Sequence, residues 1–326
     1  MTRPEVSVLI VTYNSAHVIS ACLDALEAGH GRDGEMEIIV YDNASTDETV
    51  PLIERNWPAV RVIAGERNLG FAKGVNRAAE AATGLNIMLL NPDAVIAVED
   101  VVVLARTVPS THGGIVAPVI HTGGVRVMAA GRMPTIWAMA SHYFGISRLS
   151  RGRTRLQGHY LLPSDVGEVV VSTDWVTGAC LMVDSETWWR VGGLTERWFM
   201  YAEDIEFCWR VGRAGGVVLI QPLAHAQHLV GSSNGAPEAG TNSAWVLNLY
   251  EFYRADLAES RLQRIVWALV VGCGLRFRAV VFLLQSLLHR SAELHGAAGD
   301  FTRHSNAVFR ALTASADDRW SRSARS

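Results

Sequence analysis

The sequence predicts an α/β fold, a doubly wound and mostly parallel sheet followed by a C-terminal helical extension. Two observations carry this. Short apolar runs alternate with amphipathic segments four times within about ninety residues, the pattern of successive strand–helix units. Polar clusters stand where those runs end, at the C-terminal strand edge where open α/β sheets take ligands. By the same texture, residues 1–240 form one α/β domain, 241–314 a helical extension and 315–326 a disordered tail.

Val6 to Val11 reads as a fully buried strand. Ser15 is expected to cap the following helix, whose apolar face holds Ile19, Leu23 and Leu26 and which Gly29 closes. Glu37 to Tyr41 is a second strand, and Ser45 with Glu48 suits a capping box before a helix that stops ahead of Pro58. A third strand, Val60 to Ala64, leads into Asn68–Asn76 and an alanine-rich helix ended by Gly84. The fourth strand, Ile87 to Leu90, stops at Asn91-Pro92-Asp93, because Pro92 has no N–H for a sheet ladder. A helix over Glu99–Arg106 and a strand over Ile115–Ile120 follow. Residues 121–170 then lose periodicity, which in a compact domain marks a functional segment, a lid or a variable insertion.

At 49% hydrophobic and 19% charged the 326-residue chain has ample core, and a net charge of −3 gives no case for nucleic acid. Cys22, Cys180, Cys208 and Cys273 are widely spaced, so neither a disulfide framework nor a zinc site is expected, which fits a reducing compartment. The N-terminus runs directly into a strand and lacks the apolar core of a signal peptide. No apolar stretch reaches the roughly 18–20 residues of a membrane span.

The polar clusters at the strand ends are Thr12 with Asn14, Asp42 with Ser45 and Asp47, Asn68 with Gly70 and Asn76, and Asp93. Each has a structural alternative as cap or turn, but all four would face one crevice. They form neither G-x-G-x-x-G nor a Walker loop, which disfavours a dinucleotide cofactor. V-S-V-L-I-V-T-Y-N-S, D-N-A-S-T-D, N-L-G-F-A-K-G-V-N and L-L-N-P-D-A, collinear from about Val6 towards Ser233, resemble glycosyltransferase family 2. The resemblance implies a GT-A fold and a nucleotide-sugar donor. It places Thr12 and Asn14 in the nucleotide pocket and Asp42 on the pyrimidine base, with the Asn68–Asn76 loop closing over the donor. Asp93 matches the last acid of the family's D-x-D metal motif, whose first position is Asn91 here. Gly178, within W-x-x-G-A at Trp175–Ala179, matches the segment under the sugar.

Glu203, Asp204 and Glu206 fall in the first turn of a helix, where the dipole favours acids, and Glu206 is spaced to pair with Arg210. The pair Glu203-Asp204 also matches the family's catalytic E-D motif, which makes Asp204 the expected base and has Glu203 orient the acceptor or support the loop. His228, with Gly231 and Ser232 after it, matches the family's H-x-x-G element and would join Asp93 on Mn²⁺ or Mg²⁺. Arg126, Arg132 and Arg148 suit an acceptor diphosphate.

Asn242 to Arg254 reads as an amphipathic helix. Ile265–Leu275 and Ala279–Leu288, separated by Arg276 and Arg278, read as an interfacial helix pair, or else as a hairpin packed on the catalytic domain. The N-P-D, Y-x-E-D and R-M-P motifs most resemble bacterial rhamnosyltransferases that use dTDP-rhamnose and a polyprenyl-diphosphate-linked or glycan acceptor. The expected location is cytoplasmic, peripheral to the inner face of the cell membrane, and a homodimer is compatible with it. The rivals are family 2 transfer from UDP-galactofuranose, a UDP-hexose or GDP-mannose, and a non-catalytic nucleotide-sugar binding module.

Overall fold

A strand that is buried at every position has to be covered on both faces, and Val6–Thr12 (β1) is buried at all seven. In the computed structural model, which describes residues 3–27, 36–108, 113–127, 129–150, 153–228 and 242–313, β1 lies inside a ten-stranded sheet. The alternation continues through Ile19–Glu27 (α1), Met36–Asp42 (β2), Thr49–Asn56 (α2), Arg61–Ala64 (β3), Phe71–Ala79 (α3) and Asn86–Leu90 (β4). Next come Ala94–Ile96 (β5), Val98–Thr107 (α4), Gly114–Thr122 (β6), Val125–Arg126 (β7), Ala130–Gly131 (β8) and Ile136–Tyr143 (α5). The chain goes on through Val171–Thr173 (β9), Trp175–Val176 (β10), Cys180–Asp184 (β11), Ser185–Val191 (α6), Glu203–Arg213 (α7) and Val217–His228 (β12). Three more helices follow, Ala244–Phe252 (α8), Arg261–His289 (α9) and Ala292–Thr313 (α10).

The main path of the sheet runs β3-β2-β1-β4-β11-β6-β12-β5. The first four strands are parallel, as the alternation requires. Strand β11 enters antiparallel between β4 and β6. It pairs Cys180 with Leu90, so the segment before β11 meets the end of β4.

The chain divides into two compact units, Met1–Gly131 with Leu161–Pro237, and Arg132–Tyr160 with Glu238–Ser326. The aperiodic stretch is thus shared, and its 132–160 part, including α5, goes with the C-terminal helices. In that helical unit Trp267 is fully buried, stacked on Tyr250 and Tyr253, and its Nε1 donates to Pro134 O at 2.6 Å. Gly272 and Gly274 let α9 approach its neighbours closely. A Cβ would stand 2.6 Å from the Phe309 ring at Gly272 and 2.4 Å from Tyr143 Cβ at Gly274.

Three expectations need correction. Ser15 caps α1 through its carbonyl, which accepts from Val18 and Ile19 N, while its hydroxyl accepts from Tyr13 N. No capping box forms at α2: its N-cap is Glu48 without a side-chain bond, and Ser45 Oγ donates to Asp42 instead. The interfacial helix pair is a single 29-residue helix, α9. It contains an 18-residue window of mean hydropathy 1.9, so by length and composition alone it is long and apolar enough to cross a membrane. Arginine is a good helix former, and Arg276 and Arg278 do not interrupt it. Gly29, Gly231, Ser232 and the tail 315–326 lie outside the described residues.

Candidate active site

The parallel register sets Thr12 at the end of β1 beside Asp42 at the end of β2. Thr12 Oγ1 donates to Asp42 Oδ1 at 2.7 Å, and Ser45 donates to the same carboxylate through Oγ (2.6 Å) and N (2.8 Å). Asn14 adopts a left-handed φ of 50°, a conformation asparagine tolerates. Its N donates to Ser45 Oγ and its Oδ1 accepts from Thr46 N, both at 2.8 Å. Thr12, Asn14 and Asp42 therefore form one hydrogen-bonded lip.

Residues 68–70 and the first turns of α3, which take the place of the expected Asn68–Asn76 loop, are tied to the segment before α7. Asn68 Oδ1 accepts from Gly70 N at 3.0 Å. Phe71 N donates to Phe199 O at 2.9 Å, and Gly70 sits at φ +85°, where a Cβ would stand 2.3 Å from that carbonyl. Asn76 turns to the 194–196 segment: its Nδ2 donates to Leu194 O and Glu196 Oε1, and its Oδ1 accepts from Leu194 N. Asn43, which the sequence reading did not single out, joins β2 to this loop by accepting from Leu69 N and donating to Gly70 O. Its place beside Asp42 at a strand end was the available signal.

Asp93 follows β4, and His228 ends β12 opposite Ala94. The Asp93 carboxylate is buried, and neither oxygen has a hydrogen-bond donor among the described residues when His228 Nε2 accepts from Asn91. His228 Nε2 lies 3.2 Å from Asp93 Oδ1 and 3.3 Å from Asn91 Nδ2. One imidazole nitrogen either accepts from Asn91 or donates to Asp93, not both. A buried carboxylate without a donor, facing an imidazole nitrogen, is a donor set that fits a divalent cation. No group of three or more His, Cys, Asp or Glu side chains suited to a metal occurs among the described residues, so a cation here would need ligands besides Asp93 and His228.

The entry to β11 connects this end of the sheet to the acids of α7. Asn91 N donates to Ala179 O at 2.9 Å, and the neighbouring Gly178 N donates to Asp204 Oδ2 at 2.9 Å. Asp204 Oδ1 accepts from Ile205 N at 2.8 Å. A Cβ on Gly178 would press on Asp204 Cβ at 3.4 Å and the Phe71 ring at 3.3 Å, so a larger residue there crowds both. Asp204 keeps partial exposure at the site's edge, yet burial of its carboxyl raises its pKa against those two N–H bonds. Glu203 is buried, and burial first, then the Asp204 charge, pushes it up to about 8. Tyr201 and Ala202, immediately before this pair, both have φ of 75°. Two successive non-glycine residues in that region store strain of the kind found at functional sites, and no sequence signal marks it.

Glu206 belongs to the scaffold. Arg210 binds it in a fork at 2.9 Å through Nε and Nη2, and also donates to Val191 O and Gly193 O. Arg126 donates to Val166 O at 2.8 Å, and Arg132 Nε donates to Gln157 Oε1 at 2.8 Å.

A mostly parallel sheet with β11 inserted antiparallel between β4 and β6, a carboxylate after β4 and acids opening α7, is the arrangement of a GT-A nucleotide-sugar transferase. Residues 7–162 match the model of glycosyl transferase family 2, and the chain carries a family 2 glycosyltransferase domain. It is 27% identical over 262 residues to the N-acetylglucosaminyl-diphospho-decaprenol L-rhamnosyltransferase of Mycobacterium tuberculosis, covering 75% of this chain and 82% of that one. It is also 27% identical to the low-salt glycan biosynthesis hexosyltransferase Agl10 of Haloferax volcanii, over 64% of this chain and 62% of that one. Its fold is like that of the mannosyltransferase PcManGT of Pyrobaculum calidifontis, solved with GDP-Man and Mn²⁺. There the TM-score is 0.59 and the identity 16%, over 99% of this chain and 89% of that one.

Proposed function

We propose that this glycosyltransferase moves L-rhamnose from dTDP-rhamnose to a polyprenyl-diphosphate-linked sugar, with inversion and with the help of Mn²⁺ or Mg²⁺. The reaction belongs at the inner face of the membrane that carries such a lipid. The observation that carries the reading is the buried Asp93 carboxylate facing His228, joined through Asn91, Ala179 and Gly178 to Asp204.

In the reaction, the acceptor hydroxyl attacks the anomeric carbon as the bond to the nucleoside diphosphate breaks. Asp204 takes the hydroxyl proton; its raised pKa brings it closer to neutral, where a general base works best. Gly178 N and Ile205 N fix the orientation of that carboxylate. Glu203, held largely protonated below pH 8, limits the negative charge beside the base. Thr12, Asn14 and Asp42 receive the nucleotide, and Asn68 and Gly70 shape the loop over it. Asp93 and His228 would hold the cation, whose charge stabilises the leaving diphosphate.

The L-rhamnosyltransferase name of the mycobacterial relative supports the donor and the lipid-linked acceptor. A second reading, transfer of another hexose, has the support of the Haloferax hexosyltransferase. Purified protein with Mn²⁺ or Mg²⁺ and a lipid-diphosphate-sugar acceptor decides between them when offered dTDP-rhamnose, UDP-galactose, UDP-N-acetylglucosamine and GDP-mannose in parallel. Acceptor-dependent release of dTDP, lost in Asp204→Asn, is expected. Turnover of a different donor overturns the rhamnose assignment and leaves the family standing.

A further inference from the structure

The helical unit holds two positive charges that no carboxylate among the described residues pairs with. Arg278, half-buried on α9, donates through Nη2 to His142 O at 3.1 Å and lies 3.2 Å from His142 Nε2. Its guanidinium stands over the Tyr143 ring, 5.3 Å from the centroid. These partners are uncharged. His142 is kept neutral by burial and then by the Arg278 charge, which push its pKa down to about 3. Arg148, exposed on the turn Ile146–Leu149 after α5, adds a second positive charge to the cluster. Burial and that like charge act to hold Arg278 below the usual guanidinium range, against the neighbouring tyrosines. Among the described residues no carboxylate pairs with either arginine. A partly desolvated guanidinium whose described neighbours are uncharged or positive suits a bound anion.

The helix that carries Arg278 also points to what the anion is attached to. Between Arg261 and His289 there is no Asp or Glu. Leu269, Phe277, Val280, Leu284 and Leu287 are exposed and recur at helical spacing, although the opposite face of α9 is buried. A helix packed on one side only is expected to turn polar residues outward. Phe277 lies against the exposed Phe144 ring at 6.2 Å, which brings the apolar stripe to the end of α5 beside Tyr143.

We propose that Arg278 and Arg148 grip the diphosphate of an isoprenoid-linked acceptor, whose hydrocarbon chain lies along the Phe277–Leu287 stripe of α9. Planar guanidinium groups bind phosphate oxygens in pairs, and an apolar stripe without acids suits a hydrocarbon attached to an anion. The proposal rests on the lipid-linked acceptor reading.

Its test uses the full chain in buffer without divalent cation and with saturating dTDP. Binding of farnesyl diphosphate, inorganic pyrophosphate and farnesol is measured by calorimetry for the wild type, Arg148→Gln, Arg278→Gln and Arg278→Lys. Farnesyl diphosphate is expected to bind more tightly than either fragment. Its Kd should weaken at least about tenfold in both glutamine variants and substantially in Arg278→Lys, while farnesol binding stays unchanged. Arg148 is exposed, so its variant reports on the site even if Arg278→Gln unfolds. Farnesyl diphosphate binding that is indifferent to Arg148→Gln and to Arg278→Lys overturns the site and leaves the lipid-linked reading intact. No binding by the wild type, together with transfer to a glycan that lacks lipid, overturns both. Binding only to phosphatidylglycerol vesicles assigns the anion to a membrane headgroup and also overturns the proposal.

Discussion

Asp93 carries an unusual electrostatic load for a single residue, since a buried carboxylate without donors is costly until something positive arrives. Asp93→Asn should therefore leave the metal-free protein as stable as the wild type or more so, while removing any rise in Tm on adding Mn²⁺ with a nucleoside diphosphate. Differential scanning fluorimetry with and without those ligands checks both halves. Glu203 gives a pH signature of defined sign. Its pKa rises from an ordinary 4.5 to about 8 on folding, so between those values the native state holds a proton that the unfolded chain releases. Stability is greatest at the acid end of that window and falls as pH rises towards 8. Glu203→Gln removes the fall. Its Tm should exceed that of the wild type by roughly 2–4 °C or more at pH 8.5, with little difference near pH 5, as melts at the two pH values would show. These roles were only partly legible in the sequence. The acids announced themselves by standing at the start of a helix, but the strain at Tyr201 and Ala202 and the missing donors of Asp93 depend on three-dimensional surroundings that no spacing encodes.

At the scale of elements, the parallel strands could be read because burial on both faces leaves them apolar, as in Ile87–Leu90 and, apart from Ser7, in Val6–Val11. The antiparallel entry of β11 could not, since a short apolar run looks the same whichever way it points. The continuity of α9 was also hidden. Arg278 reads as a break in a hydropathy pattern, yet its stem and guanidinium settle on Tyr143 and the His142 carbonyl. Two glycines test how elements are held. Gly70→Ala meets both a φ of +85° and a carbonyl 2.3 Å away. It should cost more than the roughly 1–2 kcal/mol of a left-handed alanine and weaken donor binding, which a urea titration and nucleotide calorimetry would report. Gly274→Leu should destabilise through the contact with Tyr143, by about 1–3 kcal/mol or more, seen as a lower denaturation midpoint.

At the scale of the whole molecule, the α/β class and the helical C-terminal part followed from periodicity, but membership of the two units did not. Residues 132–160 belong with the C-terminal helices because α5 packs on α9 around Gly274 and Tyr143, a pairing across more than a hundred positions that local pattern cannot carry. The junction of β4 with β11 has a further consequence, for how such a chain can change. Asn91 is bound to Ala179, and Gly178 to Asp204, through single backbone groups in a ladder whose side chains alternate face at every step. A one-residue insertion in β4 or in 176–180 would turn each following side chain to the opposite face and uncouple the Asp93 end from Asp204. Added length between Leu161 and Val171 would alter no register in that ladder. Chains that descend from this one can therefore lengthen freely in the second place and scarcely at all in the first.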